Sequence, residues 1–204
     1  MRADRALFVV CVALAGCMPG RARPTEVGLD ALAGAMSGDD IGDPLGVGAR
    51  LSLGPLALAA SQGFAEEDEY GMPCGGMINP DDPACFDQPL EQDSEILRFS
   101  TGYLVAEGAG RNRLTLTPYV GGAWLTHTER GLQADRSISA EAAAWQLGAR
   151  VGVERNLVAD LWLGLAGDAA LIMPIRLQCD DCYDPFRESM YLGALSLAVT
   201  WRLP

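Results

Sequence analysis

Period-two alternation runs through most of this chain and restricts what it can become. Leu45, Val47, Ala49, Leu51 and Leu53 share one face of an extended segment, with Gly46, Gly48, Arg50 and Ser52 on the other. Leu56, Leu58 and Ala60 resume the pattern after Gly54-Pro55. Leu97, Phe99, Thr101, Tyr103 and Val105 oppose Ile96, Arg98, Ser100, Gly102 and Leu104. Leu114, Leu116, Pro118, Val120 and Trp124 oppose Thr115, Thr117, Tyr119 and Gly121. The same alternation recurs at Ala143–Glu154, at Leu161–Leu171 and at Tyr191–Leu203, and more weakly at Val27–Gly34. Side chains of a strand point to opposite faces in turn, so each segment has one apolar face and one small or polar face.

The pattern yields eight candidate strands: 25–36, 44–53, 56–64, 95–107, 113–130, 138–154, 158–176 and 189–203. Their connections alternate in length. Gly54-Pro55, Gly108–Asn112 and Arg155–Leu157 are tight, whereas Ser37–Asp43, Ala65–Ser94, Gly131–Ser137 and Leu177–Glu188 are longer and mostly polar. An even strand count then puts both termini on the short-turn side. In lipid every backbone N–H and C=O needs an internal partner, so a strand-built span must close on itself. About 9–11 tilted residues suffice to cross. The outer face must be apolar and the inner one need not be.

The N-terminus reads as an address. Met1–Arg5 carries two arginines, and Ala6–Gly16 is an apolar run too short to span a bilayer. It ends in Leu14-Ala15-Gly16-Cys17, which resembles the bacterial lipobox. That resemblance implies residues 1–16 as signal peptide, lipid on Cys17, and 17–24 as a lipidated linker ahead of a barrel domain at 25–204. Ala13-Leu14-Ala15 is also an ordinary cleavage site and would leave Gly16 first. Lipidation leaves four cysteines able to pair, whereas ordinary cleavage leaves five. Residues 25–204 resemble the small eight-stranded outer-membrane barrels. The fold expected is therefore all-β, an eight-stranded antiparallel up-and-down transmembrane β-barrel, with outer-membrane lipids and the barrel-assembly machinery as its partners. Such barrels usually end on an aromatic residue, whereas here Trp201 is followed by Arg202-Leu203-Pro204.

Two other architectures compete. Leu157–Ile175 is long enough for a membrane helix, but Asp160 and Asp168 would each cost about 2.5–3.5 kcal/mol at its centre. A soluble, lipid-anchored ligand-binding barrel would reverse the two faces. Residues 26–36 could also form a short helix.

On the expected inner face lie Arg50, Arg98 and Arg150, with Asp160 and Asp168, and with Glu26, Asp30 and Glu154 beside them. Confined charges must pair, so these residues are read as an ion-paired plug rather than an ion path. Ala65–Glu95 carries ten acidic residues and no arginine. It also holds Cys74 and Cys85, and Leu177–Glu188 holds Cys179 and Cys182. In an oxidising envelope these four form disulfides, Cys74 with Cys85 and Cys179 with Cys182 if pairing is local. The acidic run could instead hold Ca²⁺ or dock a basic partner.

All 15 basic residues are arginine, and the net charge of −12 argues against nucleic acid. No pattern calls for a cofactor or a resident metal. Some barrels of this size modify lipid A. His127, the only histidine, has Glu129 and Glu141 near it in sequence but lacks the H-x-S pattern of the deacylases. The reading is therefore non-catalytic: envelope structure or surface interaction.

Overall fold

The computed structural model describes residues 24–36, 43–71, 88–131, 136–175 and 189–203. They form β1 (Glu26–Met36), β2 (Leu45–Leu53), β3 (Leu56–Gly71), β4 (Gln88–Tyr103), β5 (Val105–Ala109), β6 (Asn112–Gly131), β7 (Arg136–Val158), β8 (Leu161–Pro174) and β9 (Met190–Arg202). Every pairing is antiparallel between chain neighbours, and β1 also pairs with β9, which closes the sheet. β4 and β5 are one strand interrupted at Leu104. Both pair with β6 in a single register, Gly102 opposite Tyr119 and Val105 opposite Leu116. Pro118 lies beside the break and offers no N–H to a ladder. The Leu104 amide donates instead to the Pro55 carbonyl at 2.7 Å. The architecture is thus a closed eight-stranded up-and-down β-barrel. Residues 26–36 are strand rather than helix, and Leu157–Ile175 is strand interrupted by the turn at Ala159-Asp160.

Register fixes the size of the barrel. A line of partners from Glu26 runs through Ser52, Ala57, Gly102, Tyr119, Gly148, Ala170 and Leu192 to Met36. It returns to β1 ten residues above its start. With ordinary strand spacings, that stagger tilts the strands by about 40° and gives a radius of about 8 Å. Such a bore is filled by its own side chains.

The outer wall is apolar. Leu29, Val47, Trp145, Val153, Leu165, Tyr191 and Leu195 are all more than half exposed. The stagger places residues of equal height about one and a quarter positions apart on successive strands. On that scale Phe64, Trp124, Trp145 and Tyr191 fall within about one residue of a common level. Trp201 lies about 25 Å below them. Among the described residues no outward position of the band between carries a charge. Exposed Glu66 and Glu141 stand above it, and exposed Glu107 and Arg155 below.

Two sets of boundaries differ from the sequence reading. Ala65–Gly71 and Gln88–Ser94, expected in a loop, are strand, paired residue by residue from Ala65 opposite Ser94 to Gly71 opposite Gln88. β6 and β7 likewise pair up to Gly131 opposite Arg136. The sheet β3-β4-β6-β7 therefore rises about seven residues above the aromatic level, whereas β1, β2, β8 and β9 stop near it. Above the apolar band the strands have no apolar face to keep, so their polar sequence resembles a loop. The second difference is the β7–β8 turn, which lies at Ala159-Asp160 rather than Arg155–Leu157. Asn156 Nδ2 donates to the carbonyls of Ala159 and Leu161 at 2.8 and 3.3 Å and holds the turn there. Ala159 adopts a left-handed φ of 41°.

Candidate functional site: a charged lumen beneath an apolar stopper

Side chains inside the barrel are layered. In the lowest tier, Arg113 lies between two carboxylates. It donates to Glu26 at 2.6 Å and to Glu154 through both Nε and Nη2. Its guanidinium stacks over the Trp162 ring, 4.4 Å from the centroid. Arg202, at the rim, lies 3.6 Å from Glu26 and also over Trp162. The Glu26 and Glu154 side chains are almost wholly buried. Burial of this kind is tolerable only because the charges are paired and hydrogen-bonded.

The middle tier has two centres. Asp30 is shared: Arg50 Nε donates to one oxygen at 2.7 Å and Arg150 Nη2 to the other at 2.8 Å. Arg50 also approaches Glu154 at 3.8 Å, which joins the two tiers. Arg98 reaches Asp168 at 3.3 Å, Tyr119 Oη at 2.6 Å and Gln146 Oε1 at 2.8 Å. Tyr119 Oη donates in turn to Asp168. Gln146 Nε2 spends its hydrogens on the carbonyls of Phe99 and Gly122, which fixes its oxygen toward Arg98.

Above these polar tiers the lumen is apolar. Met36, Ile96, Leu125, Ile172, Met190 and Leu192 pack into one buried cluster with the alanines at 123, 142, 144 and 170. Ile172 and Leu125 have almost no accessible surface. Close strand approach tightens the wall beside them. A Cβ at Gly121 would lie 1.9 Å from the Phe99 carbonyl oxygen, so only glycine fits. Over this stopper sits fully buried His127, its Nδ1 2.8 Å from Ser94 Oγ.

Arg50, Arg98, Arg150 and Asp168 all point into the lumen, as do Glu26, Asp30 and Glu154. Asp160 does not. It lies exposed at the tip of the β7–β8 turn, because Asn156 carries that turn beyond the position expected from the sequence. Arg113, the cation between Glu26 and Glu154, was missed. It follows Gly110-Arg111-Asn112, which reads as a turn, and its face is marked only by Thr115 and Thr117. The apolar stopper was missed too. Its one sequence sign is that alternation lapses at Trp124-Leu125, Leu171–Met173 and Tyr191-Leu192, where both faces are apolar.

Cys17, Cys74, Cys85, Cys179 and Cys182 lie outside the described residues. His127 and Glu141 occupy opposite faces of the wall, one buried in the lumen and one exposed outside. Among the described residues no group of three or more His, Cys, Asp or Glu is arranged to hold a metal ion.

The fold is that of a closed, side-chain-filled, eight-stranded barrel with an apolar exterior. Solved structures similar to it are small bacterial barrels. Ail, the attachment invasion locus protein of Yersinia pestis, matches at 11% identity with a TM-score of 0.52, covering 90% of this chain and all of Ail (100%). Neisserial surface protein A matches at 13% identity and TM-score 0.51, over 88% of this chain and 97% of that one. The N-terminal barrel domain of Pseudomonas aeruginosa OprF matches at 11% identity and TM-score 0.50, over 86% and 97%. At these identities the likeness concerns the fold. No protein-family model matches the chain, and no curated protein matches it in sequence.

Proposed function

We propose that this chain is a non-catalytic outer-membrane barrel lipoprotein, anchored by lipid on Cys17 as well as by its barrel, with a structural or surface-interaction role. The observation that carries the membrane location is the outer wall: an uncharged apolar band of about 25 Å, bounded above by Phe64, Trp124, Trp145 and Tyr191 and below by Trp201. A soluble barrel would expose its polar face instead. The short turns, the start of β1 and the end of β9 lie on one side, which is the periplasmic side in this reading. The sheet β3-β4-β6-β7 projects outward on the other, and the segments 72–87 and 176–188, outside the described residues, carry the proposed disulfides Cys74–Cys85 and Cys179–Cys182.

The stoppered lumen supports a role without conduction. The projecting sheet supports a role in contact. Ail was crystallised with the heparin analogue sucrose octasulfate, a polyanion. On this chain the projecting end bears Glu66, Asp93, Glu95 and Glu141 on the outward face of its strands. That charge favours basic surfaces and repels sulfated sugars.

Membrane fractionation tests the proposal. The full precursor is expressed beside a version whose first 24 residues are replaced by an ordinary signal peptide. The expected result is that both resist carbonate and urea and need detergent for release, and that only the first carries acyl chains by mass spectrometry. Release of the second version as a soluble domain would overturn the integral barrel. A precursor without acyl chains would overturn the lipoprotein assignment.

A further inference from the structure

Large polar side chains fill one side of the middle tier, while the wall opposite is built from Gly48, Ala57, Ala59, Ser61, Ser100 and Gly102. The mismatch leaves an internal cavity of about 60 Å³. Arg50, Arg98 and Arg150 border it, with Asp30 and Asp168. The Ser61, Ser100 and Thr117 hydroxyls add short donors on its walls.

The charges around this space do not balance. Below it Arg113 lies between Glu26 and Glu154, with Arg202 at the rim, 38% exposed, beside Glu26, and with Arg50 3.8 Å from Glu154. In the middle tier three guanidiniums face two carboxylates. Asp168 serves Arg98, and Asp30 is divided between Arg50 and Arg150, so Arg150 has no carboxylate of its own. Its side chain is 11% exposed. A buried charge without a full counter-charge is costly, and the space beside this one admits something small. The volume suits on the order of four waters, or a chloride-sized ion with fewer waters.

We propose that the cavity between Arg50, Arg98 and Arg150 binds a monovalent inorganic anion of chloride size. The anion supplies the missing negative charge of the middle tier, and guanidinium N–H groups and serine hydroxyls donate to it. The apolar stopper seals the site from above, so exchange proceeds from the short-turn side. Bound there, the ion is part of the plug and not a permeating species.

Two measurements on the mature chain folded in detergent test this. In the first, the protein is crystallised with sodium bromide and anomalous diffraction is collected. A bromide peak inside the cavity is expected, and an empty or water-filled cavity at molar bromide would overturn the proposal. In the second, thermal unfolding is compared in sodium chloride and sodium gluconate at equal ionic strength. The expected result is a Tm about 2–4 °C higher in chloride. Arg150→Gln removes the surplus charge and is expected to erase that difference, whereas Arg155→Gln, on the outer rim, is expected to keep it. Equal Tm values for the unmodified protein in the two salts would overturn the proposal. The bromide experiment needs no variant and decides the matter should Arg150→Gln fail to fold.

Discussion

Replacing Arg113 by Met tests whether buried ion pairs organise the barrel floor. Arg113 is 9% exposed, and its two partners, Glu26 and Glu154, are 7% and 3% exposed. The substitution leaves both carboxylates without their main counter-charge. Removing one partner of a buried pair costs about 3–5 kcal/mol. Arg202 at 3.6 Å from Glu26 and Arg50 at 3.8 Å from Glu154 remain, which moves the expected loss to the low end, about 3 kcal/mol. Loss of the stack on Trp162 adds about 1 kcal/mol. The total of about 4 kcal/mol would be read as a change in urea unfolding free energy in phospholipid bilayers, followed by tryptophan fluorescence. The triple variant Glu26→Gln, Arg113→Met, Glu154→Gln removes the charges together and is expected to recover to within about 1 kcal/mol of the parent. A loss below about 1 kcal/mol for Arg113→Met alone would refute the reasoning, because exposed, water-screened pairs behave that way.

Other perturbations read other parts of the structure. Leu195→Arg, at mid-height on the outer wall, is expected to destabilise the bilayer-folded protein by about 2–4 kcal/mol, and Leu157→Arg near the short-turn rim by no more than about 1 kcal/mol. Equal effects in urea titrations would contradict the membrane level assigned to the band. Gly121→Ala forces a Cβ into the Phe99 carbonyl and is expected to abolish the heat-modifiable folded form on gels. Gly122→Ala, where the nearest such contact is an ordinary 3.7 Å, is expected to retain it. In planar bilayers the parent barrel is expected to pass no steady current. Leu125→Ser with Ile172→Ser, which lets water into the stopper, is expected to give resolvable openings. Steady conductance in the parent would show that the apolar layer is not the barrier.

Sequence made the wall legible because the physics of each face is uniform. A tilted strand between lipid and lumen must alternate, and Val47, Leu195 and Trp201 against Gly48, Ser196 and Thr200 display that directly. Arg50, Arg98 and Arg150 could be placed inside for the same reason, since parity with apolar neighbours fixes their side. Parity says nothing about partners. That Asp30 serves two arginines, or that Tyr119 and Gln146 complete the Arg98 site, depends on register between strands far apart in sequence. The chain gives no local sign of that register.

Where strands leave the apolar band the constraint disappears. Ala65–Gly71 and Gln88–Ser94 keep pairing without keeping an apolar face, so they read as loop. At the other end, the β7–β8 turn lies at Ala159-Asp160, bridged by Asn156, and Asp160 goes with it. Conversely, the stopper is hidden because Leu125, Ile172 and Leu192 are apolar on the inner face beside apolar outer neighbours. A both-faces-apolar stretch hides the very parity that identifies the rest.

The central claim is that the barrel is inside-out, with its apolar wall in lipid. Four tryptophans test it within one molecule. Trp124, Trp145 and Trp201 are 48%, 64% and 57% exposed on the outer wall, whereas Trp162 is 8% exposed beneath Arg113 in the lumen. Four variants, each keeping one tryptophan and carrying Phe at the other three positions, would be folded into bilayers of brominated phospholipid. The account predicts strong quenching of Trp124, Trp145 and Trp201 by the lipid bromines, and little for Trp162. Lipid-insensitive emission from the three outer tryptophans, together with quenching by aqueous iodide, would contradict it.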